Sequence, residues 1–129
     1  MRLLLDTHVF LAVVNERMDQ LDPTLRRLLR DPAGEFHVSV ASLWEIAIKH
    51  RLGKLNLLVE LETLADAVAA MGADLIAITA RHVLAQADPE PPTRDPFDRL
   101  LLSQCHTEGL RLMTIDRALV GHPLAARAG

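Results

Sequence analysis

Four short segments each carry a carboxylate at a position where chemistry can use it: Leu3-Leu4-Leu5-Asp6-Thr7-His8, Ser42-Leu43-Trp44-Glu45-Ile46-Ala47-Ile48-Lys49, Arg94-Asp95-Pro96-Phe97-Asp98-Arg99-Leu100-Leu101 and Leu112-Met113-Thr114-Ile115-Asp116-Arg117. Taken singly, each acid also has an ordinary structural explanation. Asp6 suits the cap of a helix that follows an apolar strand. Ser42-x-x-Glu45 matches a capping box, and Asp95 followed by Asp98 fits a cap plus a first-turn acid favoured by the helix dipole. Asp116 fits a turn. Only at Asp6, directly after a buried apolar run, does the functional reading outweigh the structural one.

Taken jointly, the acids say more. Carboxylates from four separate elements that converge on one place repel one another unless a cation sits between them. Oxygen-only ligands suit Mg²⁺ or Mn²⁺, and the chain has no Cys/His cluster to offer zinc. A carboxylate cage of this kind is the usual apparatus for phosphodiester chemistry, in which the metal polarises phosphate and acidifies water.

The elements that must position these acids alternate in type. Residues 2–5 read as a buried strand followed by a helix over 9–15, and Asp22-Pro23 opens a helix that ends near Asp31-Pro32. Residues 35–40 read as a second strand, and 41–52 as an amphipathic helix closed by Gly53. A helix over 60–71 stops at Gly72, a third strand covers 74–78, and Thr79 caps a helix through about Ala87. Asp95-Pro96 opens a helix through Glu108 that Gly109 ends, and a fourth strand covers 110–114. This order predicts a three-layer α/β fold with a central parallel sheet of four to five strands and helices on both faces. In such sheets ligands bind beyond the carboxyl ends of the strands, where the strand order switches. Asp6 and Asp116 both fall there.

Composition sets the outer limits. The 129 residues, half of them apolar, fit one domain over 1–129, with a core of Leu, Ala, Val and Ile because only 3% are aromatic. A net charge of −3 argues against nucleic-acid binding by bulk charge, so an RNA-handling protein of this kind needs a basic rim or a bound cation. The lone Cys105 excludes an internal disulfide, Asp6 comes too early for a signal peptide, and no apolar run approaches a membrane span. The expectation is a cytoplasmic protein.

The four segments, in order and at suitable spacing across nearly the whole chain, resemble the PIN-domain family, in particular its VapC-type toxins. Leu3 to Val9 looks like the family's opening strand and first acid. Ser42 to Lys49, running on through Arg51-Leu52-Gly53-Lys54-Leu55, looks like its second motif; Arg94 to Leu101 resembles the third, and Thr114-x-Asp116 the fourth. The resemblance implies a metal-dependent endoribonuclease, the toxin of a toxin–antitoxin pair. Its acidic site is Asp6, Glu45, Asp98 and Asp116, with Asp6 and Asp98 the surest ligands of Mg²⁺ or Mn²⁺. It also implies products with 5′-phosphate and 3′-hydroxyl ends, a homodimer, and inhibition by a small antitoxin that inserts a C-terminal segment. Gln104-Cys105-His106 is more polar than the family's alanine-rich stretch, and little chain follows Pro123 to form a last edge strand.

Other residues are weighed more lightly. His8 follows Asp6 but adds little beside a metal that already acidifies water. His37, His50, His82, His106 and His122 have no ligand spacing, and Trp44 reads as packing. Lys49, Arg51 and Lys54 read first as a solvated helix end, and second as part of a phosphate-holding rim with Arg94 and Arg99. Two rivals remain. A phosphoacceptor receiver domain requires an acid after its third strand, where this chain has Ile78-Thr79. A PIN fold that only binds RNA or protein is the other.

Overall fold

The computed structural model describes residues 1–127. Four strands, β1 (Arg2–Leu5), β2 (Glu35–Ser39), β3 (Asp74–Ile76) and β4 (Arg111–Met113), form one sheet in the order β3-β2-β1-β4. Every pairing is parallel. Six α-helices connect them: α1 (Thr7–Val14), α2 (Pro23–Arg30), α3 (Val40–Arg51), α4 (Leu64–Ala70), α5 (Ala80–Leu84) and α6 (Pro96–Glu108).

The alternation of β1 builds two cores. Leu3 and Leu5 point into a cluster with Val9 and Phe10 of α1, Leu25 of α2, Ile46 of α3 and Val68 of α4. Leu4 points to the other face, onto Leu101, Leu102 and Cys105 of α6 and Leu112 of β4. Helices therefore cover both sides of the sheet, giving the three layers that the strand–helix alternation predicts. The central strand is buried on both faces, so truncating Leu4 or Leu5 to Ala should cost roughly 2–5 kcal/mol.

Several local signals act as the sequence suggests. Asp22 caps α2 through the Leu25 N–H at 2.9 Å, and Pro23 takes the first helical position. Gly109 ends α6 at φ +69°, a left-handed conformation open to glycine without strain. Other boundaries differ. The first helix begins at Thr7 because Asp6 itself is its cap. The segment expected as one helix over 60–71 is a 3₁₀ turn (Leu61–Thr63) running into α4, and α5 stops at Leu84. Beyond β4, among the described residues, the edge is covered by a single parallel bridge between Leu112 and Ala125. Among the described residues the sheet thus has four strands, and the expected fifth is reduced to the Ala125 bridge. No helix among the described residues is long and apolar enough to cross a membrane.

Candidate active site

The sheet order fixes where the acids meet. The chain runs outward from β1 to β2 to β3, then crosses back to lay β4 against the other side of β1. The direction of winding reverses between β1 and β4, and the crevice beyond their carboxyl ends is the switch point at which such sheets bind ligands. Asp6 follows β1, with its N–H bonded to the Met113 carbonyl of β4 at 2.9 Å. Asp116 follows β4, its N–H held by the Thr114 hydroxyl at 3.0 Å. Asp98 enters from the first turn of α6 and Glu45 from the second turn of α3.

Asp6 is buried, and its Oδ1 accepts the Val9 N–H at 2.9 Å. The capping and functional readings of Asp6 thus describe one geometry, since the cap bond fixes the carboxylate at the strand end. Burial pushes the Asp6 carboxyl above the usual range, against the lowering influence of the Thr114 hydroxyl and the Val9 N–H. Asp98 is half-buried and pushed up to about 7, first by desolvation and then by the charges of Asp95, Asp116, Asp6 and Glu45. Four other carboxylates act on one group. Asp6, Glu45 and Asp116 thus lie near enough to Asp98 for their charges to act on it. Asp95 is the N-cap of α6, accepting from Phe97 N–H at 2.9 Å, as its place before Pro96 suggests.

Glu45 differs from the expectation. The residue that caps α3 is Ser39, which accepts from the Ala41 N–H at 3.0 Å, so Ser42-x-x-Glu45 lies inside the helix and is no capping box. The Glu45 side chain is buried and both its oxygens are engaged. Thr7 Oγ1 donates to Oε1 at 2.7 Å, and Lys49 Nζ, one turn along the helix, donates to Oε2 at 2.6 Å. Thr7 Oγ1 also lies 3.0 Å from Ser42 Oγ; with its one proton given to the carboxylate, Thr7 must accept from Ser42. Sequence reading missed Thr7 and Ser42 as supports of the site. It also placed Lys49 on a solvated face. The i, i+4 spacing of Glu45 and Lys49 was the available signal.

The basic rim is thinner than expected. Arg99 turns away from the acids and pins the proline-rich loop, donating to the Thr93 carbonyl at 2.6 Å and to Glu90 at 3.3 Å. Arg51, Lys54 and Arg94 are exposed. Trp44 is not core packing: it is 60% exposed and meets Phe97 edge to face, with ring centroids 6.0 Å apart. Elsewhere, His82 is buried with Nδ1 accepting the Thr79 N–H at 3.1 Å, which leaves Nε2 to donate to Glu108 at 2.8 Å, a capping arrangement and not a ligand set. A cavity of about 510 Å³ beside it, lined by Leu84, Ala87, Arg99, Leu100 and Ser103 among others, includes none of the site acids.

Among the described residues, no three His, Cys, Asp or Glu side chains stand close enough to grip one ion unaided. That is compatible with Mg²⁺, which keeps several waters and is commonly held by one or two carboxylates plus substrate phosphate. The donor chemistry fits a hard divalent cation: oxygen ligands only, in mutual repulsion, with no hydrogen bond or ion pair to a described residue reaching the Asp98 carboxylate.

A three-layer parallel α/β fold with Asp6 and Asp116 at the ends of β1 and β4 defines a doubly wound domain whose ligands bind beyond its strands. The sequence matches the PIN domain family over residues 3–121. The chain belongs to that family, whose members are generally metal-dependent nucleases. No curated protein matches it. Family membership removes the receiver-domain reading.

Proposed function

We propose that this chain is a Mg²⁺- or Mn²⁺-dependent endoribonuclease, the VapC-type toxin of a toxin–antitoxin pair. What supports the reading is a PIN fold with Asp6 and Asp116 at the ends of β1 and β4, beside its switch point, and with Asp98 and Glu45 near enough for their charges to act on one another. These four acids line the metal site, and Asp6 and Asp98 are its principal ligands. A divalent cation there supplies charge to a phosphate oxygen and acidifies water for in-line attack. The chain's own part is positional. The cap bond from Val9 holds Asp6 at the strand end, α6 presents Asp98 from a turn fixed by Asp95, and the Ser42–Thr7–Glu45–Lys49 relay fixes the α3 wall.

The partner follows from the same chemistry. A negative pocket is silenced economically by a cation, and Arg suits because its guanidinium forks onto carboxylates and stays charged. The antitoxin therefore folds a flexible C-terminal segment onto this domain and sends an Arg towards Asp6 and Asp98. Exposed Val40, Trp44 and Leu52 along α3 support an apolar partner surface, which the ordering cost of such a segment requires. The test is direct. Purified protein should cleave single-stranded RNA with Mn²⁺ and not with EDTA, and its expression should arrest growth unless the antitoxin is co-expressed with its C-terminal segment intact. RNA binding without cleavage in either condition makes the domain a binding module instead.

A further inference from the structure

Two positive charges could serve four carboxylates here, and the chain itself contributes one of them. Lys49 Nζ stands 2.6 Å from Glu45 Oε2, with the Glu45 side chain 5% exposed and that of Lys49 37% exposed. Glu45 Oε1 is taken by the Thr7 hydroxyl at 2.7 Å, itself backed by Ser42. Both oxygens are therefore committed to partners inside the fold, in a pair screened far less than a surface one. For Glu45 to ligate an ion it must use its remaining lone pairs beside the Lys49 ammonium, whose positive charge 2.6 Å from Oε2 repels a divalent cation. No partner of this kind restrains Asp98, and the partners of Asp6, the Val9 N–H and the Thr114 hydroxyl, are neutral.

The geometry points to Lys49 as a built-in cation of the site: it holds Glu45 in an internal ion pair, so that the domain takes one divalent ion, on Asp6 and Asp98 with water, and not two. This deepens the nuclease reading and rests on it. Lys49 is a positioning residue. It acts through Glu45, whose charge it cancels, and it sets how much negative charge remains for the ion. An ammonium on a flexible stem cannot be lost to chelators, so this part of the site stays balanced when the divalent ion is absent.

The experiment counts bound Mn²⁺ on the metal-free protein by electron paramagnetic resonance and calorimetry, with no activity needed. Wild type should bind one Mn²⁺ per chain. Lys49→Met frees Glu45 and should take up a second, weaker Mn²⁺, whereas Lys49→Arg should still bind one. The double variant Glu45→Gln with Lys49→Met removes both charges at once. It should return to one ion, with affinity within about threefold of wild type, well inside the roughly 10–100-fold loss typical when even a supporting partner of a metal ligand is removed. Two ions in wild type would overturn the inference, as would an unchanged single ion in Lys49→Met. Should Lys49→Met not fold, the double variant decides alone, because it leaves no unpaired charge. Loss of its ion by a hundredfold would make Glu45 a ligand. Wild type that cleaves RNA with two ions retains the nuclease reading and loses only this one; wild type that binds no Mn²⁺ loses both.

Discussion

Glu45 and Asp98 belong to one acidic cluster, yet the fold treats them in opposite ways. On the α3 side, Glu45 is buried with a cation and a hydroxyl on its two oxygens. On the α6 side, Asp98 is left with four like charges and is pushed up to about 7. A structural carboxylate is matched within the chain, whereas an uncompensated one is a cost the fold retains for an external cation. The contrast separates scaffold from working surface more sharply than burial does, since the more buried acid is here the more satisfied one.

The largest break in that contrast comes from activity. Asp98→Asn, and likewise Asp6→Asn, should lower Mn²⁺-dependent RNA cleavage by about a thousandfold or more, because the metal's contribution to the transition state is worth several kcal/mol. Circular dichroism should show both variants folded. Cleavage by Asp6→Asn at near the wild-type rate in EDTA would sink the mechanism. His8, exposed beside Asp6, should matter far less, with His8→Ala staying within about tenfold of wild type.

The next effect falls on stability from the α3 side. Lys49→Met strands a buried carboxylate and should destabilise the metal-free protein by about 1.5–3 kcal/mol, read from urea midpoints. Thr7→Val removes a hydroxyl that Glu45 and Ser42 share and should cost roughly 1–3 kcal/mol. If both variants melted as wild type does, the α3 side would not be a balanced scaffold.

Much of this was legible in sequence, for identifiable reasons. The strand ends carrying Asp6 and Asp116 were readable because apolar runs and glycine or proline stops are local signals. The Asp95 and Asp22 caps were equally local, each sitting before a proline. The α3 start was not, because Ser39 and Ser42 both offer a capping hydroxyl one turn apart, and only the length of β2, set by pairing with β1, decides between them. Arg99 was misjudged for a similar reason: which way a long side chain turns depends on the Thr93 carbonyl and Glu90, neither of which can be placed without the loop. Trp44 looked like core because large aromatics usually are, and α3 exposes it only because Ile46, two residues on, takes the sheet-facing position.

The finest test of the contrast is the pH dependence of the metal-free protein. The Asp98 carboxyl moves from an ordinary value near 3.8 to about 7 on folding. A carboxyl raised in this way favours the folded state while protonated, so its contribution is complete below about 3.8 and is lost as pH rises through 7. Wild type in EDTA should therefore lose melting temperature between pH 5 and 8 by more than Asp98→Asn does, and the variant should melt higher at the upper end. Loss of the first-turn charge opposes this, but the helix-dipole contact is worth only about 0.3–1 kcal/mol. Subtracting the two curves removes the titrating groups that do not interact with Asp98, and the difference reports Asp98 together with the acids whose charges act on it. Saturating Mn²⁺ should reverse the sign, since the ion binds the deprotonated carboxylate and so stabilises wild type most at high pH. Parallel curves with and without metal would mean that Asp98 is as well matched as Glu45, and the division between the two sides of the site would disappear.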